Sequence, residues 1–93
     1  MDYNYNTKLN IKFAHLEKIS VPDIVEENTH KWFNQTLTQV NDSVVRIGIV
    51  EGEYHWHKHE NDDEFFFVLE GKLFVDLEGR TIELNPGEGI TVT

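Results

Sequence analysis

Between Glu51 and Gly71 the chain reads EGEYHWHKHENDDEFFFVLEG. Three of its five histidines, His55, His57 and His59, recur there at every second position. In a strand, residues two apart leave from the same face, so the three imidazoles are expected to share one face. Glu64 follows after the polar run Glu60-Asn61-Asp62-Asp63. Imidazole nitrogens and a carboxylate gathered on a β-scaffold suit a divalent metal ion such as Fe, Mn, Ni, Co or Zn. Two histidines two apart lie ~6.8 Å from each other at Cα and can converge on one ion at ~2.0–2.2 Å from each nitrogen. A carboxylate then adds a third ligand and leaves positions open for water, oxygen or substrate. All three histidines span ~13–14 Å at Cα on a straight strand, and one ion does not easily hold them all. The candidates for acid or base are His55 and Glu64. The plain alternative is a solvated strand face beside an acidic loop.

The elements that must position these groups are short strands. Residues 54–59 form the histidine strand, and residues 64–69 form the next, closed by Gly71. Residues 72–77 alternate, with Leu73, Val75 and Leu77 on one face and Lys72, Phe74 and Asp76 on the other. Glu78-Gly79 is a two-residue hairpin turn into a strand at 80–84, and the loop 85–89 leads to a last strand from Ile90. Upstream, residues 36–41 and 44–50 flank the turn signal Asn41-Asp42, and Gly48 marks a bulge or a close backbone approach. Short strands with frequent turns predict an all-β sandwich or barrel. Tyr54, Trp56 and Lys58 fall on the face opposite the histidines, while Phe66 and Val68 share the face of Glu64 and pack a barrel interior or line a pocket. Arg46, alone among apolar neighbours, is expected in a surface ion pair or facing an anionic ligand.

Residues 1–34 read as an N-terminal arm, and residues 35–93 as the β-barrel of a single-domain chain. Within the arm, residues 1–12 are polar, Asn-rich and without period, residues 13–18 suit a helical turn, and Ser20-Val21-Pro22-Asp23 has capping-box spacing for a short helix through Asn28. Trp32 and Phe33 are expected as core or interface anchors.

With 17 acidic and 8 basic residues the net charge is -9, so no basic stripe serves nucleic acid or an anionic membrane surface. Cysteine is absent, which removes disulfides and thiolate ligands. No apolar run approaches ~20 residues, and the start Met1-Asp2-Tyr3-Asn4 has neither part of a signal peptide. A cytoplasmic location is expected. A domain of 93 residues has a modest core, so a bound metal or a second copy would add to its stability.

The segment from Gly52 to Gly71 resembles the first conserved motif of the cupin superfamily, G-x5-H-x-H-x(3,4)-E-x6-G. His57, His59, Glu64 and Gly71 fall on it, with one residue fewer between Gly52 and His57. The words HWHKH, VLEGKL and LNPGEG are similar to those of small single-domain cupins, including those labelled mannose-6-phosphate isomerase-like. The resemblance covers about residues 36–93. It implies a double-stranded β-helix, a jelly-roll barrel, with a divalent metal held inside by His57, His59 and Glu64, and it leaves His55 to the cavity wall as a proton shuttle or a group behind the ligands. Of the second motif, G-x5-P-x-G-x2-H-x3-N, Gly87 takes the first glycine and Thr93 falls on the proline, so the histidine that is the usual fourth protein ligand falls beyond Thr93. An incomplete barrel exposes a strand edge, and a homodimer is expected. The implied functions are oxygenation, isomerisation or decarboxylation of a small organic molecule, or alternatively non-catalytic binding of a sugar or metal.

Overall fold

The protein is described by a computed structural model covering residues 5–52, 54–57 and 63–93, with side chains for 9–52, 54, 55 and 63–93. The described residues form eight strands and one short helix, the β-rich composition expected of a cupin fold. The chain divides into two compact units, Met1–Glu51 and Gly52–Thr93.

In the first unit, β1 (Tyr5–Lys8) runs parallel to β2 (Trp32–Val40), which pairs antiparallel with β3 (Ser43–Ile49). The arm, expected to be irregular or partly helical, therefore contributes, besides a short helix, a strand. Its polar side chains carry no apolar period, and its register comes from backbone bonds to β2. A parallel neighbour needs a crossover, and α1 (Val21–Glu27) lies within it. The Ser20 hydroxyl accepts from the Asp23 amide at 3.4 Å, Pro22 sits in the first turn, and Ile24 is the buried contact. Residues 13–18 form a tight turn instead of a helical one. Glu17 N donates to Ala14 O, and Leu16 takes φ 70 with its side chain in solvent.

Gln35, Thr36 and Leu37 are the buried centre of β2 because residues 10–13 lie along it. Lys12 N donates to Thr36 O and Phe13 N to Leu37 O, while the Gln35 amide donates to Asn10 O at 2.7 Å. The register shifts between Thr36 and Thr38, so the bulge falls at Leu37. Gly48, where a bulge or a close backbone approach was expected, pairs regularly with Asn34, and a Cβ there would meet nothing within 4 Å. Arg46 donates to Thr36 Oγ1 and Asn34 Oδ1 across the β2–β3 pair, so neutral oxygens occupy the guanidinium expected to meet an ion.

In the second unit, β4 (His55–His57) runs parallel to β6 (Leu73–Leu77), and β6 pairs antiparallel with β7 (Arg80–Leu84) across Glu78-Gly79. A separate pair joins β5 (Glu64–Phe67) to β8 (Gly89–Val92). The core is Val68, Val75, Leu84 and Val92, with Phe66, Ile82 and Ile90 against it. Val75 is 0% exposed, and Leu73 and Leu77 flank it on the face that alternation assigns them. The loop after β7 is tied to this core. Glu88 N closes a turn on Asn85 O, Gly87 N donates to Val68 O at 2.8 Å, and Val68 N donates to Glu88 O at 3.0 Å.

Gly89 permits the close approach of β8 to β5. A Cβ there would lie 2.6 Å from Phe66 O and 3.1 Å from the rings of Phe65 and Phe67. Gly89→Ala is expected to cost about 1–3 kcal/mol through overpacking, read as a lower urea midpoint. Gly48→Ala, with nothing within 4 Å of its added carbon, is the control and should shift stability by less than about 0.5 kcal/mol.

Candidate functional site

His55 opens β4 and pairs in register with Phe74 of β6. Its ring stacks on the Phe74 ring, with centroids 4.8 Å apart and planes 12° from parallel. Its Nδ1 lies 2.8 Å from Asp76 Oδ2. Asp76 is further held by Thr81 of β7, whose hydroxyl donates to Oδ1 at 2.7 Å, and Asp76 and Thr81 are register partners. The three residues thus form a hydrogen-bonded row across β4, β6 and β7. The His55 side chain is 38% exposed and that of Asp76 21%.

This row lies on the face of β6 opposite Val75. Residues 74 and 76 alternate with Val75, which fills the core. Within its unit His55 is therefore on the side away from the apolar cluster. The same face carries the Lys72–Glu83 ion pair at 3.4 Å, next to Phe74 through the Phe74↔Glu83 pairing.

Of the expected ligands, His57 is the last residue of β4 and its backbone pairs with Asp76; its side chain is not among those described. His59 and the acidic run 60–62 lie outside the described residues. Glu64 is the first residue of β5 and pairs with Val92. By alternation it shares the face of Phe66, which packs on the core, and at the strand end its side chain is exposed. β6 is the hydrogen-bonded neighbour of β4, and β5, which carries Glu64, pairs with β8 in another sheet. Among the described residues no three His, Cys, Asp or Glu side chains gather as a metal-holding group. Val68 belongs to the apolar core and Phe66 packs against it, while Phe65 and Phe67 point away at 64% and 54% exposure.

Asp76 and Thr81 were not singled out from the sequence. The available signal was a lone carboxylate within LFVDL, on the same side as Phe74 and directly across a two-residue hairpin from Thr81.

Comparison with known proteins places these residues in a wider setting. Residues 44–93, more than half of the chain, match the family described as "Cupin domain". The chain is also 42% identical over 57 residues to "Uncharacterized protein YdbB" of Bacillus subtilis (strain 168), an alignment covering 61% of this chain and 50% of that protein. The chain thus spans about half the length of the curated relative it matches. No solved structure matches it.

Proposed function

The chain belongs to the cupin domain family, and from that premise we propose that it binds a divalent metal through His57, His59 and Glu64 and holds a small organic molecule there. The observation that carries the reading is the spacing of His57, His59, Glu64 and Gly71 inside the matched residues 44–93. Two imidazoles and a carboxylate are a donor set suited to Fe, Mn, Ni, Co or Zn. The exposed Glu64 at the start of β5 is accessible for such a role. When bound, the ion supplies a Lewis-acid or redox centre for oxygenation, isomerisation or decarboxylation. His55 and Glu64 are the candidate groups to accept or give a proton. On the same reading residues 35–93 are the cupin barrel and residues 1–34 its arm, the location is cytoplasmic, and nucleic acid is not a partner. The net charge of -9 supports that last point. Among the described residues no helix is long and apolar enough to cross a membrane.

A second reading, a non-catalytic module for a sugar or metal, is favoured by the exposure of both His55 and Glu64. Catalytic sites gain from excluding water.

Elemental analysis of untagged protein should find close to one divalent ion per chain, and His57→Ala should reduce that by about tenfold or more, at least the loss typical of disturbing a ligand's surroundings. Unchanged occupancy in the variant would sink the proposed site. Oxygen-uptake, isomerase and decarboxylase assays over a panel of small acids and sugars then separate enzyme from module. Turnover that falls with His57→Ala supports the first, and saturable binding without turnover the second.

We also read the protein as a homodimer. Among the described residues β3 (Ser43–Ile49) is the last strand of its sheet, and Val44 and Val45 on it are each 49% exposed. Such an edge favours pairing with another chain. Light scattering should give twice the 10.9 kDa chain mass; a monomer mass at micromolar concentration would overturn the dimer.

A further inference from the structure

We propose that Arg46 anchors a binding site for a small carboxylic acid on the β2–β3 sheet, with the bare backbone at Gly48 as the floor for the rest of that molecule. The site lies wholly within the first unit and does not depend on the metal reading.

Arg46 stands among apolar residues in the middle of β3, and the structure does not use it in an ion pair. Among the described residues no carboxylate pairs with it. Its Nη1 donates to Thr36 Oγ1 and its Nη2 to Asn34 Oδ1. Both acceptors are neutral, so they hold the guanidinium without cancelling its charge. A guanidinium carries more N–H donors than these two oxygens take. The residue is exposed, which leaves the remaining donors to solvent among the described residues. The frame around it is a regular ladder. Thr36 is the register partner of Arg46 and is only 3% exposed, and Asn34 pairs with Gly48. Directly paired and diagonal residues share one face of a ladder, so these four side-chain positions lie together. A guanidinium fixed in this way gives up less conformational freedom when an anion arrives.

Gly48 supplies a separate observation. Glycine inside a strand marks a bulge, or a place where another backbone or a ligand comes close. The bulge of this pair falls at Leu37 instead, and an added Cβ at Gly48 would meet nothing within 4 Å. No other part of the described chain uses the space, which lies two residues along the same face from Arg46. An occupant from outside the chain accounts for it.

The charge at the site selects the occupant. Arg46 offers a single positive charge, and Lys31, just before β2, is already paired with Glu51 at 3.6 Å. A carboxylate carries one negative charge and two oxygens that match parallel N–H bonds from a guanidinium. A phosphate dianion would bring a second negative charge to a chain of net charge -9 with no second cation to meet it. The ligands are accordingly monocarboxylic acids whose body lies over Gly48.

The test is a titration of the full chain with sodium acetate, sodium benzoate and sodium phosphate, with sodium chloride holding the ionic strength constant. Proton–nitrogen correlation spectra at mildly acidic pH show the arginine Nε–H signals. Arg80 is the other arginine of the chain, is exposed and has no side-chain hydrogen bond among the described residues, so it serves as a reference in the same spectrum. The Arg46 Nε–H and Gly48 amide signals should follow a saturable curve with acetate and benzoate, while Arg80 moves little. Arg46→Gln should weaken binding, read at the Gly48 amide, by about tenfold or more through loss of the charged hydrogen bonds. Arg46→Lys keeps the charge without the fork and should recover part of that loss. Gly48→Leu, read at Arg46, should weaken benzoate more than acetate. A dispersed amide spectrum identifies variants that fold, and the wild-type titration needs no variant. Equal shifts of Arg46 and Arg80 in proportion to added anion overturn the site, as does unchanged binding in folded Arg46→Gln. Tighter binding of phosphate than of acetate overturns the carboxylate assignment.

Discussion

Strand β6 serves two purposes because its side chains alternate. Val75 points into the apolar cluster and is wholly removed from water, while Asp76, the next residue, faces the other way and holds His55. The period of two leaves no freedom between these placements. A slip of one residue would carry the carboxylate into the cluster, where an unpaired charge costs several kcal/mol, and would carry Val75 out to solvent. The apolar core therefore sets the position of the polar row. Phe74 completes the row by stacking under the imidazole.

The first unit solves a different problem. Its sheet buries a glutamine and a threonine, Gln35 and Thr36, together with Leu37. Buried polar groups are tolerable when bonded, and here the flanking backbone at 10–13 and the β2 carbonyls bond to one another and to the Gln35 amide. Among the described residues no buried side-chain polar atom lacks a partner. The bulge at Leu37 keeps that residue within the buried stretch, and its carbonyl accepts from Phe13 N.

What the sequence disclosed follows the range of the interaction involved. The alternation of 73–77, the hairpin at Glu78-Gly79 and the Ser20 cap depend on neighbours in the chain, and each appears in the structure as read. The cupin motif was equally legible, since it is a spacing. Less visible were features decided by distant partners. β1 carries no apolar period because parallel backbone bonding to β2 orders it. The bulge falls at Leu37, where segment 10–13 lies along β2, and glycine was a poor guide to it. The pairing of β4 with β6 is a matter of topology that no local pattern encodes, and it is this pairing that puts an imidazole beside Asp76. Of the candidate site, Glu64 and His55 have described side chains, and His57 a described backbone.

The parallel pairing of β4 with β6 carries a kinetic consequence. β6 and β7 meet through a two-residue turn, a contact of short loop and fast closure. His55 and Asp76 are 21 residues apart, and the chain between them includes β5, which pairs in another sheet. Long-range parallel contacts form slowly because loop-closure entropy is spent before they return any bonding. The hairpin can thus assemble while the imidazole is still unplaced. By the same argument the polar row forms after the hairpin, as does the β5–β8 pair, whose partners Glu64 and Val92 lie still further apart in the chain, so forming the hairpin does not by itself organise the histidine.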